Sequence, residues 1–419
     1  MSYSTLARYT RRPILSLLCV GLLLAACGSP NTSHPGQPPS PSTDPAKADA
    51  VMNVVRDTMA KSHLRAAIVR VTVAGKEVVT RALGESMTGA PATTDMYFRN
   101  GAVAISYVST LLLKLVDEKK VRLDDKLSTW LPNVPHADQV TLAQLARMTS
   151  GYPDYVLGNA EFDAALYANP FRQWTTDEIL GQVVSKPLFY SPGTNWNYAH
   201  TNYVLLGLAL ERATGQDMPT LLRDKVLGPL GLTHTANADT PEIPAPVLHA
   251  FSSERRETLK IPAHTPFYEE TTFWNPSWTI THGAIQTTTI DDLATTASGI
   301  GSGQLLSPGS YHAMVSTDLR GKTHALPGCP TCAALNDFYT YGLGIVISGD
   351  WLLQNPMFAG YAAVGAYLPS RKIAIAVACT FDQAAFGNSG NYSNEADTLF
   401  RRVAAQLAPD DAPPLAPAK

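Results

Sequence analysis

The chain has 419 residues, 45% of them hydrophobic, and a formal net charge of −3. The lack of excess positive charge excludes a protein built to bind nucleic acid, which needs a basic surface. The length permits one large domain or two or three smaller ones, and the hydrophobic content is sufficient for a sizeable core.

Residues 1–26 have the composition of an export signal. Three arginines precede an apolar run from Ile14 to Leu24, and small residues follow it. The run is shorter than the ~20 apolar residues that a membrane-spanning helix needs. The ending Leu24-Ala25-Ala26-Cys27 resembles the bacterial lipobox, in which cleavage precedes the cysteine and the thiol is lipidated. We therefore predict a lipoprotein signal peptide with Cys27 as the lipid attachment site, and two adjacent arginines leave twin-arginine export open.

Residues 27–47 and 409–419 are rich in proline and have little to bury, so we predict a disordered tether and a disordered tail. The folded domain is then expected at residues 48–408. A lipid at Cys27 makes the membrane a partner and places the protein at the outer face of the cytoplasmic membrane, in the cell envelope.

The folded part begins with patterns of a helix and two strands. Residues 46–61 have apolar residues at helical spacing, and "AAIVRVTVAG" and "KEVVTRALG" read as strands joined at residues 74–76. Residues 102–119 are apolar nearly all round, which predicts a helix that is buried on most sides.

The middle of the chain, residues 142–230, has helical patterns that begin near threonines and in two cases end at glycine. Strand patterns return in "YTYGLGIVIS", "AAVGAYLP" and "KIAIAVACT", and a final helix follows. Strands at both ends around a helical middle predict an α+β fold in which one sheet is assembled from both ends of the chain.

Two cysteines, Cys329 and Cys332, lie close together in "PGCPTC". A structural zinc needs four ligands, and no partnering cluster of His or Cys is nearby, so we expect no metal. In an exported protein a short-loop disulfide is the favoured state of this pair.

Several strings resemble the serine β-lactamase and D-alanyl-D-alanine peptidase superfamily, in its class C-like branch. "YFRNG" with the buried helix and "VDEKKVRLDDKLSTWLP" is similar to the segment that contains that family's Ser-x-x-Lys. "VTLAQLARMTSGY", "YSPGTNWNYAHTNYVLLGLALERATG" and "GAIQTTTIDDLATTASGIGSGQLLSP" resemble three further family segments. The resemblance covers residues 50–405. It implies a β-lactamase/transpeptidase-like fold without a cofactor: an antiparallel sheet flanked by helices, with a helical middle subdomain.

The chain departs from the family at the positions that carry its chemistry. Ala102 stands where the resemblance places the serine, and Ile105 stands where it places the lysine. Tyr198 matches the family tyrosine, and His200 replaces the asparagine two residues later. The third motif reads Gln354-Asn355-Pro356, where a proline removes a backbone donor. Without a serine hydroxyl no acyl-enzyme can form, so no catalytic set is intact.

No other Ser-x-x-Lys and no Gly-x-Ser-x-Gly occurs in the chain. Ser106 and Ser150 are candidate replacements, but a buried helical hydroxyl and a turn residue explain them more simply. Tyr198 and His200 can face one cleft only if the segment is locally irregular, because alternate residues of a strand point to opposite faces. Candidates for an aromatic cleft lining, which plain packing would explain equally well, are Tyr152, Tyr155, Trp274 and Trp278.

These observations favour a lipid-anchored pseudoenzyme that acts by binding a cell-wall peptide, a lipid or a protein. One alternative is an active esterase or peptidase that uses an unusual nucleophile, such as Ser106 or Tyr198. Another is a structural envelope lipoprotein whose cleft is filled by side chains. The sequence indicates no nucleic-acid partner and no particular oligomeric state.

Overall fold

The structure, a computed structural model, describes residues 44–415. The signal peptide, Cys27 and most of the tether lie outside the described residues. Within residues 44–415, no helix combines the length and the apolar character needed to cross a membrane.

The helices and strands follow one another as the sequence pattern predicts, with short strands added in the second half of the chain. The helices are α1 (Pro45–Lys61), α2 (Val103–Asp117), α3 (Leu142–Ala146), α4 (Ala160–Ala168), α5 (Thr176–Gly181), α6 (His200–Thr214), α7 (Met218–Leu222), α8 (Ile290–Gly301), α9 (Pro308–Met314) and α10 (Glu395–Leu407). The strands are β1 (Leu64–Val73), β2 (Lys76–Met87), β3 (Ala90–Pro91), β4 (Phe98–Arg99), β5 (Ala236–Asn237), β6 (Phe251–Ser252), β7 (Glu269–Glu270), β8 (Gln286–Thr288), β9 (Thr340–Tyr341), β10 (Val346–Ser348), β11 (Trp351–Gln354), β12 (Met357–Phe358), β13 (Tyr361–Leu368) and β14 (Ile373–Phe381).

The main sheet has the order β3-β2-β1-β14-β13-β11-β10-β9, with β12 also paired to β13. All of its pairs are antiparallel, and β1 from the start of the domain lies against β14 from its end. Every residue of β13 and β14 is buried, because α8 packs on these strands and α10 packs on them as well. The predicted α+β fold, with one antiparallel sheet built from both chain ends, is confirmed.

The middle of the chain forms the predicted helical region. Thr141 and Thr175 begin α3 and α5, and each makes a capping box with the third helical residue. Gly215 ends α6 with φ of 69°, a conformation that glycine adopts without steric cost. Helix α2 packs against α6, α7 and α9 and is buried along most of its length, as its apolar sequence predicts.

The ends of the domain differ from the predicted boundaries. Residues 45–47 are not part of a tether but form the first turn of α1, which Asp44 caps through the Lys47 N–H. The tail is ordered as far as residue 415: the Trp351 indole donates to the Asp411 carbonyl at 2.7 Å, and Arg401 donates to the Pro414 carbonyl at 2.6 Å. The prediction of disorder from residue 409 fails here because these carbonyls satisfy buried donors of the core.

Candidate active-site cleft

The floor of the cleft is a tight turn between β4 and α2. Strand β4 pairs with β8, and Gly101 then turns the chain with φ of 49°. Ala102 follows as the residue that caps α2, and its side chain is a methyl group where the resemblance places the nucleophile. The Ala102 N–H has no hydrogen-bond acceptor among residues 44–415, while the next three amides bond back into the turn. The turn therefore presents an amide donor to the cleft but no nucleophile.

Ile105 lies one helical turn further along α2 and faces the core. Its side chain is fully buried and does not line the cleft. The position that the resemblance assigns to the lysine thus contributes to packing.

The second wall carries Tyr198 and His200. Asn197 pairs with Cys332, and the Tyr198 N–H donates to the Thr331 carbonyl at 3.3 Å, so the chain is extended up to this point. The helix α6 begins at His200, which ends the strand-like alternation. Both side chains line the same cavity, with ring centroids 5.2 Å apart. The irregularity that the sequence analysis required is this change from extended chain to helix.

A buried carboxylate holds His200 in place. The His200 Nδ1 lies 3.0 and 3.1 Å from the two Asp154 oxygens, and the His200 backbone N–H donates to Asp154 at 3.1 Å. Because a carboxylate can only accept, Nδ1 carries the proton, and Nε2 of the neutral ring is the acceptor. No partner for Nε2 lies among the described residues. Asp154 also accepts from the amides of Val156 and Leu157, and its side chain is fully buried.

Sequence reasoning missed Asp154, and only a weak signal could have found it. Asp154 follows the "TSGY" string by two residues, in "GYPDY". Nothing local shows that it reaches a histidine 46 residues later. The signal is His200, which stands where the resemblance places an asparagine, because an imidazole N–H can donate to a carboxylate.

The third wall is the segment Gln354-Asn355-Pro356, and its polar groups are already engaged. Gln354 is buried and donates to the Gly344 carbonyl at 2.8 Å, while Asn355 donates to Asp397 at 3.2 Å. Pro356 packs on the floor, since a Cβ added to Gly101 would lie 2.7 Å from the Pro356 Cβ. These residues shape the cleft without supplying a base.

A second amide donor survives beside Pro356. The Ala363 N–H donates to the Pro356 carbonyl at 3.1 Å, and Met357 lies opposite Ala362. Hydrogen-bonded and non-hydrogen-bonded pairs alternate in antiparallel strands, so the Met357 N–H points away from β13. Ala102 and Met357 both line the cleft, so two backbone amides that bond neither into α2 nor to β13 border it.

The cleft is open, with a volume of about 230 Å³. Its remaining lining is mostly apolar and comprises Leu157, Trp278, Thr279, Ile280, Tyr339 and Phe358. Of the described residues that line it, none is a lysine or an arginine. Burial raises the pKa of Tyr198 well above its ordinary value, so its phenol stays protonated. Among the described lining residues, His200 has a ring nitrogen, Nε2, that is free to accept a hydrogen bond.

The aromatic residues singled out in the sequence divide into two groups. Trp278 lines the cleft, and Trp274 lines a neighbouring cavity. Tyr152 and Tyr155 do not line the cleft, which corrects that prediction. Both side chains are fully buried. The Tyr152 hydroxyl donates to the Pro135 carbonyl, and the Tyr155 hydroxyl donates to the Trp278 carbonyl at 2.7 Å.

The two candidate replacement serines do not reach the cleft. Ser106 is buried and its hydroxyl donates to the Val103 carbonyl at 2.7 Å. Ser150 is also buried and donates to the Asn202 side chain, while accepting from the Tyr152 amide. Neither hydroxyl has a base beside it, so both serve structure.

Cys329 and Cys332 form a disulfide with sulfurs 2.08 Å apart. Within the part of the chain that the structure describes, no three His, Cys, Asp or Glu side chains are grouped so that they could hold a metal.

Comparison with known proteins identifies the family. A family model described as "Beta-lactamase" matches residues 51–400. Penicillin-binding protein 4 of Amycolatopsis lactamdurans is 36% identical over 151 residues, which are 35% of this chain and 37% of that protein. Esterase EstB of Burkholderia gladioli is 30% identical over 204 residues, 46% of this chain and 52% of the esterase. The matches thus span between about a third and a half of these relatives.

Among solved structures, the D-amino acid amidase from Ochrobactrum anthropi SV3 in complex with D-phenylalanine superposes with a TM-score of 0.70. The match covers 86% of this chain and 99% of the amidase at 20% sequence identity, a level that shows a shared fold.

Proposed function

The chain belongs to the beta-lactamase family, and we propose that within this family it is a pseudoenzyme that binds a ligand in its cleft without acylation. The observation that carries the proposal is the pair of positions at the start of α2. Ala102 offers a methyl group to the cleft, and Ile105 is buried away from it. The nucleophile and its base are both missing, and both are needed for attack on a carbonyl.

The open cavity beside Ala102 supports a binding role over a purely structural one. A structural lipoprotein with a filled cleft would have side chains where about 230 Å³ of space remains. The space is bounded by aromatic and aliphatic walls with a few convergent polar groups, which is the usual character of a small-molecule site.

The surviving polar groups suggest how a ligand is held. Two amides, from Ala102 and Met357, can donate to a carbonyl oxygen. The His200 Nε2, fixed by Asp154, can accept from an N–H or O–H of the same ligand. Relatives named penicillin-binding proteins suggest a cell-wall peptide as the ligand, with a lipid or a protein as alternatives.

The Asp154–His200 pair favours one alternative, which is hydrolysis by water. The Nε2 would take a proton from water while the water oxygen attacks a carbonyl held by the two amides. The leaving alcohol would then receive that proton as the bond to it breaks. An esterase among the relatives gives this alternative its substrate class. Ser106 has no neighbouring base, and burial raises the pKa of the Tyr198 phenol well above its ordinary value, so both support an unusual nucleophile less well.

We also propose that lipid at Cys27 anchors the domain at the outer face of the cytoplasmic membrane, in the cell envelope. The Leu-Ala-Ala-Cys ending and the proline-rich segment after it support the anchor. The penicillin-binding proteins among the relatives are consistent with a place in the cell envelope.

A turnover assay tests the binding role against hydrolysis. Purified protein is incubated with a chromogenic ester and a chromogenic cephalosporin, beside the His200→Ala variant. The proposal expects both proteins to match the uncatalysed rate. Turnover by the wild type that His200→Ala abolishes would instead establish the water mechanism.

A further inference from the structure

A second chamber opens beside the cleft. It has a volume of about 290 Å³ and shares four lining residues with the cleft: Leu157, Trp278, Met357 and Phe358. Two of them, Leu157 and Met357, are large apolar residues that are 47% and 38% exposed. Trp278 and Phe358 stack with ring centroids 5.7 Å apart and form the wall common to both spaces. The two spaces are therefore adjacent, and a ligand that occupies both would contact these four side chains.

Two carboxyl groups line the chamber without a basic partner. Glu254 accepts from the Ser252 hydroxyl at 2.7 Å and from the Tyr167 hydroxyl at 3.3 Å. For the Asp163 carboxylate, no hydrogen bond or ion pair lies among residues 44–415. The described lining contains no lysine or arginine. The nearby Arg255 is already engaged, because it pairs with Glu269 at 3.0 Å.

The chamber is an electrostatically unfavourable environment for these carboxylates. Burial raises the pKa of Asp163 and of Glu254, and the carboxylates of Asp154 and Glu269 add to the respective shifts. A cation placed between the two groups would replace lost hydration and stabilise their charged forms.

The rest of the wall is mostly apolar, and its aromatic residues are a second feature that suits a cation. Tyr167, Trp274, Trp278 and Tyr392 all line the chamber. Trp274 is only 5% exposed, and its indole N–H has no partner among the described residues. Aromatic faces attract ammonium groups, most strongly where water is excluded.

We infer that this chamber binds the ammonium group of an amine-bearing, amphipathic ligand whose other end occupies the cleft beside Ala102. The inference rests on the proposed binding role of the cleft and adds the ligand's chemical class. Asp163 and Glu254 supply the charge complement, the aromatic residues enclose the apolar arm, and a ligand acceptor meets the Trp274 N–H. A ligand with a carboxylate at this end is excluded by charge.

The test compares three probes with the same aromatic arm: phenethylamine, phenethyl alcohol and phenylacetate. Their affinities are measured by isothermal titration calorimetry on the purified protein at neutral pH. We expect the amine to bind about tenfold more tightly than the alcohol, and phenylacetate to bind more weakly than either. Equal affinities for the amine and the alcohol would overturn the inference.

Substitution of the two acids tests whether they cause the preference for the amine. Asp163→Asn and Glu254→Gln should each reduce the preference for the amine, and the double variant should remove it. Glu161→Gln is the matched control, because Glu161 is an exposed acid on the same helix as Asp163 and does not line the chamber. A preference that persists in the double variant would overturn the inference. The ranking of probes on the wild type decides the matter even if a variant does not fold.

The same samples separate this inference from the proposed function. Intact mass is recorded after incubation with a penicillin. An adduct would refute the proposed absence of acylation while leaving the probe ranking as it is. Equal probe affinities without an adduct would refute only the assignment of the chamber.

Discussion

Ala102 and Ile105 lie one helical turn apart and contribute differently to the structure. Ala102 has no hydroxyl, occupies the N-cap position of α2 and has a backbone N–H without an acceptor among residues 44–415. Ile105 is fully buried, whereas a lysine at this position would need a polar environment. Burial of an aliphatic side chain of this size contributes roughly 1.5–3 kcal/mol to stability. The chain therefore has a methyl group at one of these positions and a buried aliphatic side chain at the other.

The first prediction concerns Ile105. Ile105→Lys should lower the free energy of unfolding by about 3–5 kcal/mol, because a buried ammonium would lack a partner. Thermal unfolding followed by circular dichroism measures the effect, and Ile105→Met, which keeps an apolar side chain, is the control. An unchanged or raised melting temperature would show that a polar cradle for a lysine is still present.

The second prediction concerns the pairing of Asp154 with His200. Nitrogen chemical shifts of the imidazole should show the proton on Nδ1 in the wild type. Asp154→Ala should lose this preference and destabilise the fold by about 1–3 kcal/mol, because buried amides lose their acceptor. Asp177→Ala is a suitable control, since Asp177 is exposed on α5. A wild-type proton on Nε2 would contradict the assigned role of Nε2 as acceptor.

At the scale of helices and strands, local patterns predict most elements and few of their junctions. The caps at Thr141 and Thr175 and the αL glycine Gly215 follow from local backbone chemistry, so the sequence shows them. The break between β11 and β12 falls at Asn355 and Pro356, but both strands pair with β13 in one continuous register, which only the tertiary structure shows. The ordered tail depends on donors from Trp351 and Arg401. Such contacts join residues distant in sequence, and periodicity carries no information about them.

The candidate cleft was partly visible from the sequence for the same reason. The resemblance of motifs placed Ala102, Tyr198 and His200, and the structure brings all three to one cavity. The roles of Asp154 and the Met357 amide could not be predicted. Asp154 reaches His200 only in the folded chain, and the direction of the Met357 N–H depends on how β12 pairs with β13.

The third prediction concerns the disulfide loop, which supports the segment that carries Tyr198. The Tyr198 N–H donates to Thr331, between the two cysteines, and Asn197 pairs with Cys332. Replacing Cys329 and Cys332 by serine should leave the fold intact but speed hydrogen exchange at the Tyr198 amide at least several-fold, because opening there becomes easier. The Gly193 amide, which donates to Thr149 at 2.7 Å, is the internal control. Unchanged exchange at Tyr198 would show that the loop does not brace this segment.

At the scale of the whole molecule, a beta-lactamase family domain follows a proposed membrane anchor in the sequence. The described residues form the domain, whose sheet joins both ends of the chain, so the start of α1 and the end of the sheet lie in one structural unit. The domain belongs to the beta-lactamase family, and Ala102 and Ile105 stand where the resemblance places the serine and the lysine.

The fourth prediction tests the anchor. Cys27→Ala should move the protein from the membrane fraction to the soluble fraction, because lipid attached at this thiol would provide the attachment. Cys19→Ala is the control, since Cys19 lies within the predicted signal peptide. Fractionation followed by immunoblotting is the measurement, and an unchanged membrane share for Cys27→Ala would defeat the proposal.

Our central claim is that the cleft cannot be acylated. Variants that introduce a serine at position 102 and a lysine at position 105 test whether the missing side chains are the reason. In a serine protease, removal of the nucleophile lowers turnover about a millionfold. Ala102→Ser alone should react little, because no lysine stands one helical turn away to take the proton of the new hydroxyl. Ala102→Ser with Ile105→Lys should recover some acylation, and only while Tyr198 is present, if the rest of the cleft keeps its ancestral shape.

The most direct measurement is the intact mass of the wild-type protein after incubation with a fluorescent penicillin and with a fluorophosphonate. The account predicts an unmodified mass with both reagents. A stoichiometric adduct would contradict it, and peptide mapping of that adduct to Ser106, Ser150 or Tyr198 would identify the replacement nucleophile.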